Sequence, residues 1–167
     1  NASDYNHPLQ GMHIIVDAGN GAGGFFAEHV LKPLGAHTVG SQFLDPDGTF
    51  PNHIPNPEDG QAIESITQAT LKTSADLGII FDTDVDRAAV IDHEGQAINR
   101  NKLIALMSAI TLAEHPGTTI VTDSVTSDGL ETFINELGGH HHRFKRGYKN
   151  VIDESIRLNN EGTPSHL

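Results

Sequence analysis

Asp82, Asp84 and Asp86 stand at alternate positions directly after the apolar run Ile79-Ile80-Phe81 and directly before Arg87. In a tight turn, carboxylates spaced in this way converge on one hard cation, whose charge offsets their mutual repulsion. Oxygen-only donors without sulfur favour Mg²⁺ over zinc. The plainer alternative is a solvated acidic turn. An EF-hand spaces its acids similarly but needs Gly at loop position six and Glu at twelve. Counted from Asp82, those positions hold Arg87 and His93, so that motif fails.

The elements that must carry this turn follow from hydrophobic patterning. Met12 to Val16 is a short β-branched run that suits a buried strand. The glycine-rich turn Ala18 to Gly24 follows, then Phe25, Phe26, His29, Val30 and Leu34 at helical spacing, stopped by Pro33 and Gly35. His37 to Leu44 reads as a second strand. Asp45 to Pro57 is a long loop punctuated by proline, which pushes each preceding residue toward extended geometry. Asn56 as cap, Pro57 at the first helical position, and Glu58 and Asp59 in the first turn predict a helix start. Its apolar face is expected at Ile63, Ile66, Ala69 and Leu71. Leu77 to Phe81 is a third strand, and Ala88 to Asp92 a fourth that turns at His93-Glu94-Gly95. Asn99 or Asn101 begins a helix with Leu103, Leu106, Ile110 and Ala113 on one side, ended by Pro116-Gly117.

The pattern then starts again. Thr118 to Val121 is a strand, Leu130, Phe133, Ile134 and Leu137 mark a helix closed by Gly138-Gly139, and His140 to Phe144 is a strand. Val151, Ile152, Ile156 and Leu158 mark the next helix, and the second unit stops at Ser165-His166-Leu167, where its third strand should begin, so its sheet is expected to lack a strand. The expected class is therefore α/β. It comprises mixed sheets flanked by helices, with one complete three-layer domain at 1–98 and a second, truncated one of similar topology at 99–167.

Composition narrows the partners. Of 167 residues, 10 are Lys or Arg and 22 are Asp or Glu, giving a net charge of −12. Such a chain repels nucleic acid and anionic membrane. The absence of cysteine removes disulfides, zinc thiolates and thiol catalysis. No apolar run approaches the roughly 20 residues that span a bilayer. Asn1-Ala2-Ser3-Asp4 shows no secretory leader. The lack of an initial Met points to a processed chain or an excerpt. A cytoplasmic location is expected, or a plastid in a photosynthetic eukaryote.

Other segments carry competing readings. Gly19-x-Gly21-x-x-Gly24 after a strand matches the dinucleotide fingerprint, but a close-packed strand-to-helix turn explains it more simply. His140-His141-His142 lies in an expected strand, where neighbours point to opposite faces, so the three cannot converge on a metal. Arg143, Lys145, Arg146 and Lys149 form a basic run that is either a solvated edge or a phosphate-recognition edge, with Arg146 and Lys149 the favoured contacts in the second case. Ser124, Thr126, Ser127 and Asp128 follow a strand, where α/β sheets bind ligands. They either cap the next helix, as suits Ser127, or touch a ligand. The strand followed by Asp82-Thr83-Asp84-Val85 is also similar to the dehalogenase-like phosphatases, with Asp82 as nucleophile and Asp84 as acid/base. In this sequence the motif ends the third strand rather than opening the domain, and only Asp153-Glu154 offers the later acidic pair.

Asp82-x-Asp84-x-Asp86-Arg87 between two strands resembles the metal loop of the α-D-phosphohexomutases, the phosphoglucomutase/phosphomannomutase superfamily. Val16-Asp17-Ala18-Gly19-Asn20-Gly21-Ala22-Gly23 is similar to the start of that family's second domain, and Pro55-Asn56-Pro57-Glu58 to the loop before its second helix. Lys145-Arg146-Gly147-Tyr148-Lys149 is similar to the third domain's Gly-aromatic-Lys segment. The resemblance implies domain two and most of domain three of a four-domain enzyme. There a phosphoserine of domain one passes its phosphoryl group to a hexose monophosphate, a bisphosphorylated sugar forms and reorients, and the other phosphate returns to the serine. It implies Asp82, Asp84 and Asp86 as Mg²⁺ ligands, and Arg87 beside the same phosphate, a role compatible with its being a counter-ion for the aspartates. It further implies Arg146, Tyr148, Lys149 and Thr126 toward the hexose phosphate. Domains one and four and the sugar-selecting loop are not in these residues, so the polypeptide alone is expected to bind Mg²⁺ weakly and not to turn over. A non-catalytic module keeping the fold is the remaining alternative.

Overall fold

A computed structural model describes residues 6–167, so the Asn1–Asp4 stretch read for a leader lies outside the described residues. The chain divides between Ile98 and Asn99 into two units, each described by itself.

In the first unit β1 (Ile14–Asp17), β2 (Leu77–Phe81) and β3 (Ala88–Asp92) form a sheet in the order β1-β2-β3. β1 and β2 are parallel with Ile14 opposite Leu77, and β2 and β3 are antiparallel with Phe81 opposite Ala88. All four β1 residues are buried, as expected of a strand covered on both faces. Alternation along the strand feeds two cores. Ile14, Val16 and Phe81 pack with Ala27, Leu31 and Ala36 on one face, and Ile15, Ile80 and Ile91 pack with Ala62, Ile66 and Ala75 on the other. The first face is covered by a wide helical segment at Phe26–Leu31, the second by α1 (Gly60–Thr73). Three layers result.

Two expectations are corrected here. His37 to Leu44 is not a continuous strand. His37 and Gln42 both bond beside β1, but residues 38–41 turn away between them, with Gly40 at φ +99° and the Ser41 N–H on the Thr38 carbonyl. The Ser41 hydroxyl fills the gap in the ladder by accepting from the Val16 N–H at 3.0 Å. The helix expected from Asn56 begins three residues later. Asn56 caps a turn by accepting from the Glu58 N–H, and Asp59 is the true cap, its carboxylate accepting from the Gln61 and Ala62 N–H groups. That shift moves the buried stripe of α1 to Ala62, Ile66 and Thr70 and leaves Leu71 exposed.

In the second unit β4 (Thr119–Asp123), β5 (His140–Phe144) and β6 (Ser165–His166) form a parallel sheet in the order β5-β4-β6. The first strand of the unit is thus central, as β1 is between the His37/Gln42 segment and β2. α2 (Arg100–Glu114), α3 (Asp128–Glu136) and α4 (Tyr148–Asn160) complete it. Leu112, Ile120, Leu130 and Ile134 make its core. α2 buries Ser108 and Leu112 rather than the expected face, and Leu106 and Ile110 are exposed. Its sequence is apolar on all sides, so periodicity does not select a face. Ser108 is admitted to the interior because its hydroxyl bonds the Ile104 carbonyl at 2.7 Å. Phe133, Leu137, Ile152 and Ile156, expected on buried faces, are likewise partly exposed.

Candidate metal centre

The acidic turn leaves the sheet at Phe81 and re-enters it at Ala88. Its apex is Val85, a β-branched residue in the left-handed region at φ +68°. That conformation costs on the order of 1–3 kcal/mol. It persists because the Val85 side chain packs on the first core cluster. With Val85 held inward, Asp84 and Asp86 turn outward on either side of it. Asp82 is buried, Asp84 and Asp86 are exposed, and one oxygen from each lies within 4.8 Å of the others. Among the described residues no other group of three or more potential ligands converges in this way.

Arg87 closes the turn. Its backbone N–H and Nε donate to the two Asp82 oxygens at 3.1 and 3.0 Å, its side chain lies 3.6 Å from Asp86, and Nη1 donates to Asn56 Oδ1 at 3.3 Å. Burial pushes the Asp82 carboxyl up, but the Arg87 N–H, Asp86 and the guanidinium outweigh it and hold Asp82 below the usual carboxylate range. The hydrogen bond with Asp82, then the charges of Asp82 and Asp84, push Asp86 above that range. Neighbouring carboxylates driven apart in this sense relax when a cation is shared between them. The donor set, three carboxylates with no nitrogen or sulfur, fits a hard divalent ion.

The glycine-rich turn supports this loop from below. Ala22 donates its N–H to the Thr83 carbonyl at 2.9 Å, and a Cβ on Gly21 would stand 2.8 Å from that same oxygen. A Cβ on Gly19 would meet Pro55 at 2.9 Å, and one on Gly24 would collide with the Leu44 carbonyl. Each glycine of the fingerprint is therefore required by protein packed against it. Sequence reasoning missed the anchor of this region. Asp17, fully buried, accepts from the Gly19 N–H, from Gln42, from the Ser65 hydroxyl and from His53. The sole signal for it was a carboxylate at the end of an otherwise apolar strand.

The remaining candidates lie in the second unit. Thr126 is already engaged, bonding the Thr122 hydroxyl at 3.0 Å and the Asp123 carbonyl at 3.1 Å. Together with Tyr148, Val121 and Ile152 it lines a cavity of about 600 Å³. Tyr148 begins α4 and is 85% exposed. Lys149 pairs with Asp153 one turn on, and Arg146 is exposed. Arg143 is taken up by Asp128 and Glu131. Ser127 caps α3 through the Leu130 N–H. His141 and His142 do point apart, one to Thr122 and the other to Glu154. Glu154 is clamped by Arg157 as well, so neither it nor Asp153 is a spare acid of the kind a dehalogenase-like site needs.

The first unit is thus a three-layer α/β domain whose second strand runs into a converging Asp-x-Asp-x-Asp-Arg turn. The chain belongs to the phosphoglucomutase/phosphomannomutase family: residues 3–95 match its alpha/beta/alpha domain II and residues 99–160 its alpha/beta/alpha domain III. It is 33% identical over 143 residues to a phosphomannomutase/phosphoglucomutase of Pseudomonas syringae pv. tomato, covering 86% of this chain and 30% of that protein. It is 37% identical over 128 residues to a phosphoglucomutase of Neisseria meningitidis serogroup B, covering 77% of this chain and 28% of that protein. A crystal structure of a phosphoglucomutase/phosphomannomutase family protein from Burkholderia thailandensis superposes with a TM-score of 0.82 at 32% identity, covering 92% of this chain and 33% of that one. The chain thus spans about a third of the length of these relatives.

Proposed function

We propose that these residues are the central part of a Mg²⁺-dependent phosphohexomutase that interconverts hexose 1-phosphate and hexose 6-phosphate through a phosphoserine and a bisphosphorylated sugar. The observation that carries this reading is the convergence of the Asp82, Asp84 and Asp86 oxygens within 4.8 Å, in a turn of the matched domain II. Asp82, Asp84 and Asp86 would hold the ion, which when bound neutralises charge on a transferring phosphoryl group. Arg87 adds a fixed guanidinium beside the same oxygens, a geometry suited to phosphate. Arg146, Lys149, Tyr148 and Thr126 are assigned to the sugar phosphate on the family resemblance. The phosphoserine and the phosphate-clamping elements belong to domains outside these residues, so the chain by itself binds the ion weakly and does not turn over.

Titration of the chain with Mg²⁺ by calorimetry, with Mn²⁺ as a paramagnetic substitute, tests the reading. Weak one-to-one binding is expected. No binding at millimolar cation would sink it. Phosphate release from a hexose phosphate by this chain alone would favour the dehalogenase-like alternative instead.

A further inference from the structure

A half-exposed arginine ordinarily samples several rotamers, with about 2 kcal/mol of side-chain entropy at stake. Arg87 is 52% exposed, yet two separate contacts fix its guanidinium plane. Nε is committed to Asp82, and Nη1 to Asn56, which comes from a different part of the unit. Of the five N–H donors on the group, those left on Nη1 and Nη2 remain for an anion. Asn56 is itself rigid. It lies between Pro55 and Pro57, its N–H bonds the Ile54 carbonyl, and its carbonyl accepts from Asp59. Its amide orientation is determined too, because Oδ1 faces two donors, the Glu58 N–H at 3.0 Å and Arg87 Nη1 at 3.3 Å. Three residues earlier, buried His53 pins the same loop to Asp17 at 3.0 Å.

We propose that Asn56 is a positioning residue for Arg87: its carboxamide oxygen, held on the Pro55-Asn56-Pro57 corner, fixes the guanidinium so that its remaining N–H groups stay open to a phosphoryl oxygen brought to the acidic turn. The phosphoryl part of this inference rests on the mutase reading above, whereas the ordering of Arg87 does not. The long proline-punctuated loop is then a brace for the site rather than a contributor of ligands.

The test is nitrogen-15 NMR of the full 167-residue chain, reading the heteronuclear NOE of the Arg87 Nε–H. In the wild type it should match an ordered side chain. Asn56→Ala should drop it toward the value of a freely moving arginine, with the amide signals of Gly19 and His53 in place. Asn56→Asp should restore it, because a carboxylate accepts from the same two donors. An unchanged NOE in Asn56→Ala overturns the proposal, as does failure of Asn56→Asp to restore it. Loss of the Gly19 and His53 signals together with the NOE assigns Asn56 to the fold at large and overturns it equally. A parallel Mn²⁺ titration of the wild type keeps the two questions apart, since absence of binding removes the mutase reading while the NOE comparison still judges Asn56.

Discussion

His53 donates its Nε2 hydrogen to the Asp17 carboxylate at 3.0 Å, with the two side chains 4% and 0% exposed. The pair joins the end of β1 to the proline-punctuated loop, and Gln42 and Ser65 complete the carboxylate's hydrogen bonds at 2.8 and 2.9 Å. Removing His53 takes one donor from a buried acceptor that keeps Gly19, Gln42 and Ser65. His53→Ala is therefore expected to destabilise the chain by about 1–3 kcal/mol. Adding Asp17→Asn should cost less than it does alone, because the acceptor that lost its donor goes with it. Urea unfolding followed by circular dichroism measures both, and strict additivity of the two substitutions would show that the pair is not coupled.

Asp84 makes no ion pair among the described residues that would tie it to the fold, and it is exposed. Asp84→Ala should leave melting without added cation unchanged to within a degree or two while weakening Mg²⁺ or Mn²⁺ binding by at least ~10–100-fold, the loss typical of removing even an outer-shell partner. In a full-length enzyme carrying this segment, mutase activity should fall with it. Wild-type affinity in the variant would remove Asp84 from the ligand set.

Gly21 faces backbone, with Thr83 O and Cα at 2.8 and 3.0 Å from where a Cβ would stand. Gly21→Ala should cost about 1–3 kcal/mol, as overpacking does, and should weaken cation binding because the displaced atoms belong to the acidic turn. Gly48→Ala is the control, since nothing lies within 4 Å of its added carbon. Equal cation affinity in the two variants would show that the glycine turn does not support the metal loop.

Glu154 provides a pH test in the second unit. Hydrogen bonds from Arg157 outweigh its burial and, with His142, hold its carboxyl down from an ordinary 4.5 to about 2. Between those values the unfolded chain binds the proton and the folded chain does not, so stability rises with pH there and is lost as pH falls through it. Glu154→Gln should flatten the dependence of the melting temperature on pH between about 2 and 4.5. An unaltered slope would mean that the clamp does not form in solution.

The acidic turn was legible because its information is local: an apolar strand, alternating acids, then a second strand. The repeat of strand and helix that defines the two units was legible for the same reason, but the strand expected to be missing from the second unit is present, because two residues, Ser165 and His166, suffice to pair with Thr119 and Ile120 of β4. What the sequence hid depends on residues far apart along the chain. Asp17 and His53 are 36 positions apart, and neither carries a local cue that names its partner. The break in the His37 to Leu44 run arises because Ser41 can substitute a hydroxyl for a backbone group beside Val16, a choice that propensity does not express. α2 was misjudged because apolar residues surround it, so only the tertiary partners Ile120, Leu130 and Ile134 decide which side is inside.

Val85 belongs to two structures at once. Its backbone is the apex of the acidic turn, and its side chain packs on the cluster of Val16, Leu31 and Phe81. If the turn takes up a cation as proposed, that binding and core packing are reciprocally linked. Such a cation should raise the melting temperature of the first unit. A truncation such as Leu31→Ala, in the cluster Val85 packs on and well outside the turn, should then lower affinity for the ion.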